Sequence, residues 1–288
     1  MPSKALFHPM ARSLRTSSSL MSRRFVVLGL FASALPLSLI TVDRAGAAAK
    51  PKAAAPAVSP AATVPDLAAP AAAVAGAPIV AGSGVGVPPP VTVVAAAKNA
   101  KTPIFDTATS LKPFTTLNNK TNFSGRHVFV VLAKEGENYR VYLPMRPNGR
   151  IGYVRAVDVS LYQHDYAVIV SLSKKTLTLY KAGVVQMTES VGVGRSQYPT
   201  PKGTFYMREL ARPRNPGGSY GPWAFGLSGY STVLQKFGRG DGQIGIHGTN
   251  QPKLLGTQVS HGCIRMSNSA ITKLAKTLPQ GVPVDIIA

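Results

Sequence analysis

The chain holds one cysteine, Cys263, in the run Ser260-His261-Gly262-Cys263-Ile264-Arg265. His247 lies sixteen residues upstream, in Ile244-Gly245-Ile246-His247-Gly248-Thr249. Two of the chain's five histidines therefore stand close in sequence to its one thiol. That grouping suits a nucleophile and its base. A free thiol titrates near ~8.5, so little of it is thiolate at neutral pH unless a neighbour takes the proton. An imidazole can do so, and the carbonyl of Gly248 is a candidate to orient it. Gly262 lets backbone approach a ligand closely. The amides of Gly262 and Cys263 can then face a developing oxyanion. Met266-Ser267-Asn268-Ser269 reads as a helix start, and helix N-termini lower a thiol pKa.

Two other readings of the same residues stand beside this one. A lone cysteine is often a small buried hydrophobe, but here Gly and His flank it, which is poor core company. Zinc held by His247, His261 and Cys263 would need a fourth ligand or water. The chain has no second cysteine and no His-Glu-x-x-His pattern. No metal or organic cofactor is required by the thiol chemistry.

The elements around these residues read as mainly β. Ala167–Val170 is an apolar strand, Thr176-Leu177-Thr178-Leu179-Tyr180 alternates, and Ala182-Gly183 turns the chain into Val184–Met187. Val191-Gly192-Val193-Gly194 reads as a glycine-loosened strand, and Gly203–Met207 and Gln243–His247 as further strands. The stretch from Arg212 to Tyr220 has loop composition and precedes a catalytic strand, as segments that cover a site often do. Ser267 or Asn268 caps one helix, whose apolar face is Ile271, Leu274, Ala275 and Leu278. Val282–Ile287 closes the domain.

Upstream, residues 102–163 form a small all-β unit, SH3-like in outline. Its strands are Val128–Leu132, Tyr139–Leu143 and Ile151–Val154, with Asn148-Gly149 as a turn and Ala156–Val159 following. Residues 48–101 are almost wholly Ala, Val, Pro and Gly. That composition reads as a disordered, semi-extended linker, able to reach on the order of 150 Å. Residues 1–47 read as an export signal or membrane anchor: a basic start, sixteen uncharged residues from Phe25 to Ile40, then Ala45-Gly46-Ala47. Export makes an unpaired cysteine notable, because extracytoplasmic cysteines usually pair. The formal net charge of +21 points to an anionic partner such as a wall polymer. With no zinc-finger pattern or RNA-binding aromatic motif, it does not point to nucleic acid.

Together, His247-Gly248-Thr249 and Ser260-His261-Gly262-Cys263-Ile264-Arg265 resemble the signature of L,D-transpeptidases with a YkuD-type catalytic domain. The likeness runs from about Tyr166 to Ile287. It includes Pro199-Thr200-Pro201-Lys202-Gly203-Thr204-Phe205 and Tyr220-Gly221-Pro222-Trp223-Ala224-Phe225-Gly226-Leu227. The run from Arg146 to Val159 is similar to the segment before the catalytic domain in actinobacterial members.

This resemblance implies a mixed β-sandwich with a short helix over residues 164–288, acting in the cell wall or periplasm on peptidoglycan stem peptides. It implies Cys263 as nucleophile and His247 as general base and then acid. Gly248 would orient His247, His261 would shape the site, and the Gly262 and Cys263 amides would serve the oxyanion. Arg265, Ser260, Tyr230 and Tyr220 would contact substrate, with Tyr230 adding a hydroxyl near the oxyanion and the segment before Tyr220 acting as a lid. The implied reaction passes through a thioester on tetrapeptide stems to a 3→3 cross-link. An L,D-carboxypeptidase, or an enzyme anchoring proteins to the wall, would use the same nucleophile. A wall-binding structural protein with a decayed site is the reading outside catalysis.

Overall fold

Alternating apolar residues build two main sheets, which meet at a buried cluster around Tyr206. The computed structural model describes residues 91–119, 125–238 and 240–288. The export segment expected at 1–47, and the linker as far as residue 90, lie outside the described residues.

The upstream unit contains β1 (Thr92–Ala97), β2 (Lys101–Ile104), β3 (Thr115–Asn118), β4 (Val128–Glu135), β5 (Asn138–Tyr142), β6 (Ile151–Arg155) and β7 (Val159–His164). Five of these form an antiparallel sheet in the order β6-β5-β4-β1-β7, and β2 pairs with β3 as a separate hairpin. Residues 92–97, read from composition as the end of the linker, are therefore a central strand. Their side chains are small because their partners are large. Ala95 lies opposite Phe129 and Leu161, and Val94 opposite Val130 and Tyr162. Composition alone hides a strand whose bulk comes from its neighbours. Ala156–Asp158, expected to continue the strands, is a 3-10 turn between β6 and β7.

The second sheet has eight strands in the order β10-β9-β8-β17-β12-β13-β14-β16. They are β8 (Tyr166–Ser171), β9 (Thr176–Lys181), β10 (Val184–Ser190), β12 (Gly203–Ala211), β13 (Ala224–Tyr230), β14 (Gln243–His247), β16 (Ile264–Arg265) and β17 (Pro283–Ile287). Two short strands, β11 (Val193–Gly194) and β15 (Gln258–Ser260), pair in parallel beside it. The sheet is mixed: β8–β17 and β14–β16 run parallel and the other pairs antiparallel. Leu177 and Leu179 of β9 are buried while Thr176 and Thr178, which alternate with them, are half-exposed, as the alternation requires.

The one α-helix among the described residues, α1 (Asn268–Thr277), begins where the cap was expected. The Ser267 hydroxyl accepts a hydrogen bond from the Ala270 amide at 3.1 Å. Ile271 and Leu274 are fully buried against a core that includes Phe225, Leu227, Ile246 and Ile264. A helix laid over β13 and β14 thus fixes the strands that carry the chemistry.

Each sheet has its own core, and the two meet at a small third buried cluster. Tyr206 of β12 is fully buried among Val94, Val128, Val130 and Leu132 of the upstream unit. The Tyr162 hydroxyl donates to the Gln280 carbonyl at 2.9 Å.

Candidate active site

Strand register brings the histidine and the cysteine together. β14 and β16 are parallel neighbours, with Ile246 opposite Ile264 and His247 opposite Arg265. The two isoleucines are fully buried and pin the pair of strands. Cys263 immediately precedes β16. Cys263 and His247 both line a cavity of about 640 Å³, together with Tyr220, Ser260, His261 and Arg265.

His247 is buried, and its Nδ1 lies 2.7 Å from the Gly248 carbonyl. A carbonyl only accepts, so Nδ1 carries the proton and Nε2 is left as the basic nitrogen. The orienting contact expected from the sequence is thus present. Burial pushes the imidazole pKa down to about 4; the bond to Gly248 opposes this and the Arg265 charge adds to it. His247 is therefore neutral at ordinary pH. The Tyr220 ring packs against it, centroids 4.5 Å apart. Burial raises the Tyr220 hydroxyl pKa, and the nearby Cys263 adds to the shift. Gly248 itself is closely enclosed: a Cβ there would stand 2.3 Å from the Asn268 side-chain oxygen. That same oxygen accepts from the Thr249 amide at 2.9 Å. The first residue of α1 thus holds the turn that follows the histidine.

Cys263 is free and half-buried. Burial pushes its thiol pKa up, opposed by a backbone hydrogen bond from Gly245 and by the Arg265 charge. The net shift is thus upward, not the lowering expected from a helix N-terminus, and α1 begins only at Asn268, beyond β16. The thiol is neutral until a base acts on it.

The sequence-based view of the oxyanion donors also needs correction. The Gly262 amide donates to the Ser260 hydroxyl at 3.0 Å, so it does not face the cavity as a free donor. The same hydroxyl donates to the Cys263 carbonyl at 2.6 Å. Ser260 is almost wholly buried and staples the turn around the cysteine rather than standing out toward a substrate. Gly262 has φ of 118°, and a Cβ there would meet Ile244 at 2.9 Å. A side chain at this position would be strained and crowded, so the turn requires glycine.

Tyr230 is not an oxyanion donor. Its hydroxyl donates to the Pro144 carbonyl at 2.9 Å and accepts from Arg208 at 3.2 Å, which directs it into the contact between the two sheets. Arg265 does line the cavity. Its Nη1 donates to the Gln251 side-chain oxygen at 3.3 Å, and among the described residues no carboxylate pairs with it.

His261 sits among residues that sequence reading passed over. Arg195 Nη2 lies 2.6 Å from His261 Nε2. A guanidinium only donates, so Nε2 accepts and the proton rests on Nδ1. Tyr198 and Phe237 flank the imidazole, with centroids 4.9 and 5.1 Å from it. Burial, then the Arg195 and Arg265 charges, lower the His261 pKa. The signal for Arg195 and Tyr198 was the glycine before them. A Cβ at Gly194 would stand 2.3 Å from the Tyr198 carbonyl, so the glycine that ends β11 marks a tight reversal after it. Among the described residues no three His, Cys, Asp or Glu side chains converge as a metal site.

Two loops wall the cavity. The loop expected to cover the site contributes Pro213, Ser219 and Tyr220. The second wall, from Ser231 to Gly242, carries Leu234, Phe237 and Asp241 and was not singled out from the sequence.

A neutral buried histidine with a fixed tautomer and a half-buried thiol thus line one cavity, an arrangement able to support cysteine–histidine acyl transfer. Comparison with known proteins gives the family. Residues 165–286 match the L,D-transpeptidase catalytic domain of the YkuD family. A Bacillus subtilis protein named as an L,D-transpeptidase, YkuD, is 39% identical over 125 residues, covering 43% of this chain and 68% of that protein. A second from the same organism, named as L,D-transpeptidase YqjB, is 31% identical over 131 residues, covering 42% of this chain and 70% of the relative. The chain belongs to the YkuD family of L,D-transpeptidases. Among solved structures, an L,D-transpeptidase from Mycobacterium tuberculosis matches with a TM-score of 0.39 at 16% identity, over 56% of this chain and 90% of that one. One from Mycobacterium smegmatis matches with a TM-score of 0.37 at 15% identity, over 57% and 91%. Likeness at that level is too slight to bear on function.

Proposed function

We propose that this protein is a peptidoglycan L,D-transpeptidase that forms 3→3 cross-links through a thioester on Cys263. The observation that carries the reading is His247, with Nδ1 held on the Gly248 carbonyl at 2.7 Å and Nε2 left basic beside the thiol. His247 Nε2 takes the Cys263 proton as sulfur attacks the carbonyl of the third stem residue. The tetrahedral oxyanion is met by the Cys263 amide, because the Gly262 amide is committed to Ser260. As the C–N bond to the terminal D-Ala breaks, His247 returns the proton to the departing amine and a thioester remains. The side-chain amine of a second stem then attacks the thioester. Its proton passes to His247, the new amide forms, and the thiolate leaves and is reprotonated. Arg265, with no carboxylate partner of its own, holds a substrate carboxylate, and Tyr220 closes over His247 and the bound peptide. His261 acts on shape: its Nε2 is occupied by Arg195, so it does not compete for the thiol proton.

The site acts outside the cytoplasm on the wall. Among the described residues no helix is long and apolar enough to cross a membrane.

The test is intact-mass analysis of the protein, beside Cys263→Ala, after incubation with a purified tetrapeptide-stem muropeptide. The expected result is a thioester adduct lacking D-Ala and a cross-linked dimer, both absent in the variant. Tripeptide product without dimer would replace the transferase with a carboxypeptidase. A folded protein that gives neither adduct nor product would remove the enzymatic reading for this substrate.

A further inference from the structure

The cavity wall between β13 and β14 is a built structure, held at its base by the upstream unit. The segment from Ser231 to Gly242, described except at Arg239, has its ends closed by the Ser231 amide donating to the Gly242 carbonyl at 2.8 Å. The Ser231 hydroxyl accepts from the amides of Val233 and Leu234, at 3.3 and 3.0 Å. Near the tip, Phe237 and Gly240 exchange backbone hydrogen bonds at 3.0 Å. A local frame of this kind keeps its own shape but needs an external anchor to fix its direction.

That anchor is Arg146, from the segment between β5 and β6. Its Nη1 donates to the Ser231 carbonyl at 2.7 Å, and its Nη2 to the carbonyls of Leu234 and Asp241 at 3.1 and 2.9 Å. One planar fork therefore ties the rising and the returning limbs of the loop together. The guanidinium also lies 5.0 Å from the Tyr230 ring centroid, where β13 ends. Asn148 adds a two-way bond with the Tyr230 backbone, donating at 2.8 Å and accepting at 2.9 Å. At the far end of the loop, Phe237 packs against His261, two residues from Cys263. A path of direct contacts thus runs from the upstream unit to the residues beside the thiol.

We infer that Arg146 is a positioning residue for the active site, and that the upstream β unit serves catalysis by setting the cavity wall. The role rests on the proposed transpeptidase reading only for its effect on rate. Its structural half, the placement of Phe237 on His261, stands independently. Three charge-assisted hydrogen bonds from one side chain hold the wall so that the loop tip shields His261 and narrows the cavity around the bound stem. Losing them lets the wall shift, and a shift on the order of 1 Å in a positioning element costs up to about a hundredfold in rate.

The experiment uses the full chain with labelled histidine. Arg146→Met keeps the apolar stem against Tyr230 and removes every donated bond. It is expected to move the His261 ring resonance in the same direction as Phe237→Ala, through loss of the aromatic ring current. His164, in β7 and away from the loop, is expected to stay in place. With the muropeptide, kcat/KM for acylation should fall about tenfold at a temperature well below the variant's unfolding transition, and Arg146→Lys should recover only part of it. A His261 resonance unmoved in Arg146→Met but moved in Phe237→Ala would overturn the proposal. So would a moved resonance with wild-type acylation. If Arg146→Met does not fold, Arg146→Lys decides by the same resonance, because a single ammonium cannot reproduce the fork. Wild-type protein that fails to acylate would defeat the transpeptidase reading while leaving the resonance result intact.

Discussion

At the scale of single residues, the site combines a thiol whose pKa is raised with a histidine whose pKa is depressed. A free thiolate–imidazolium pair would require the opposite shifts. Below the thiol pKa and above about pH 4, both groups are neutral. Proton transfer then accompanies attack instead of preceding it. The free enzyme should therefore show ordinary thiol behaviour: the rate of Cys263 alkylation by iodoacetamide should rise about tenfold per pH unit between pH 6 and 8, without a plateau, because only the thiolate reacts. Intact-mass kinetics would measure this. A plateau already reached near pH 6 would mean that an ion pair forms in the resting site. Cys263, His247 and the orienting carbonyl of Gly248 were legible in the sequence because the chemistry needs those types and because strands place neighbours at short separations. The oxyanion assignment was only half legible. Whether the amide of Gly262 points at a ligand or at Ser260 depends on a turn with φ of 118°, and residue types do not encode that direction. Tyr230 misled for a similar reason, since a tyrosine near a catalytic strand looks the same whether its hydroxyl faces substrate or another sheet.

At the scale of elements, α1 does more than cover the core. Its cap and first residue lie beside the catalytic turn: Ser267 receives the Ala270 amide, and Asn268 holds Thr249 while filling the space over Gly248. Ser267→Ala should cost about 1 kcal/mol of stability, as capping losses do. If the first turn frays, Asn268 loosens with it, and acylation should slow by more than that stability loss explains. Thermal unfolding and single-turnover acylation of the same variant would separate the two effects; wild-type acylation in a destabilised variant would show that the cap serves stability alone. The helix was readable because its apolar spacing and cap residue agree. β13 was not read as a strand, because Gly226, Ser228 and Gly229 dilute its alternation. The reason for the glycine at 229 is tertiary: a Cβ there would meet the Phe205 ring at 2.3 Å. The wall at Ser231–Gly242 was silent for the same kind of reason. Its shape comes from Arg146, about ninety residues away in sequence, and no local pattern records that tie.

At the scale of the whole molecule, the upstream unit and the catalytic sheet meet at a buried cluster to which the catalytic sheet contributes Tyr206. Tyr206 is the central case. It belongs to the catalytic sheet by sequence, yet it is fully buried among valines and a leucine of the other unit. Its hydroxyl reaches the Tyr142 carbonyl at 3.4 Å, and burial raises its pKa far above the usual phenol range. Phe205 and Met207 turn into the main core of the catalytic sheet, while Tyr206 turns the other way, into the cluster supplied across the contact. Gly281 completes the fit, since a Cβ there would press on Val94 at 2.5 Å. Two units linked only by a tether would unfold separately and tolerate loss of this residue. Here Tyr206→Ala should cost about 3–5 kcal/mol, the range for deleting a buried aromatic. The wild-type chain should unfold in one transition, and the variant at a lower temperature. Calorimetry checks both points. Two resolved transitions in the wild type, with only the smaller one moved by the substitution, would show that the units are thermodynamically independent. The wall held by Arg146 would then be joined to a module able to come away from the site it shapes.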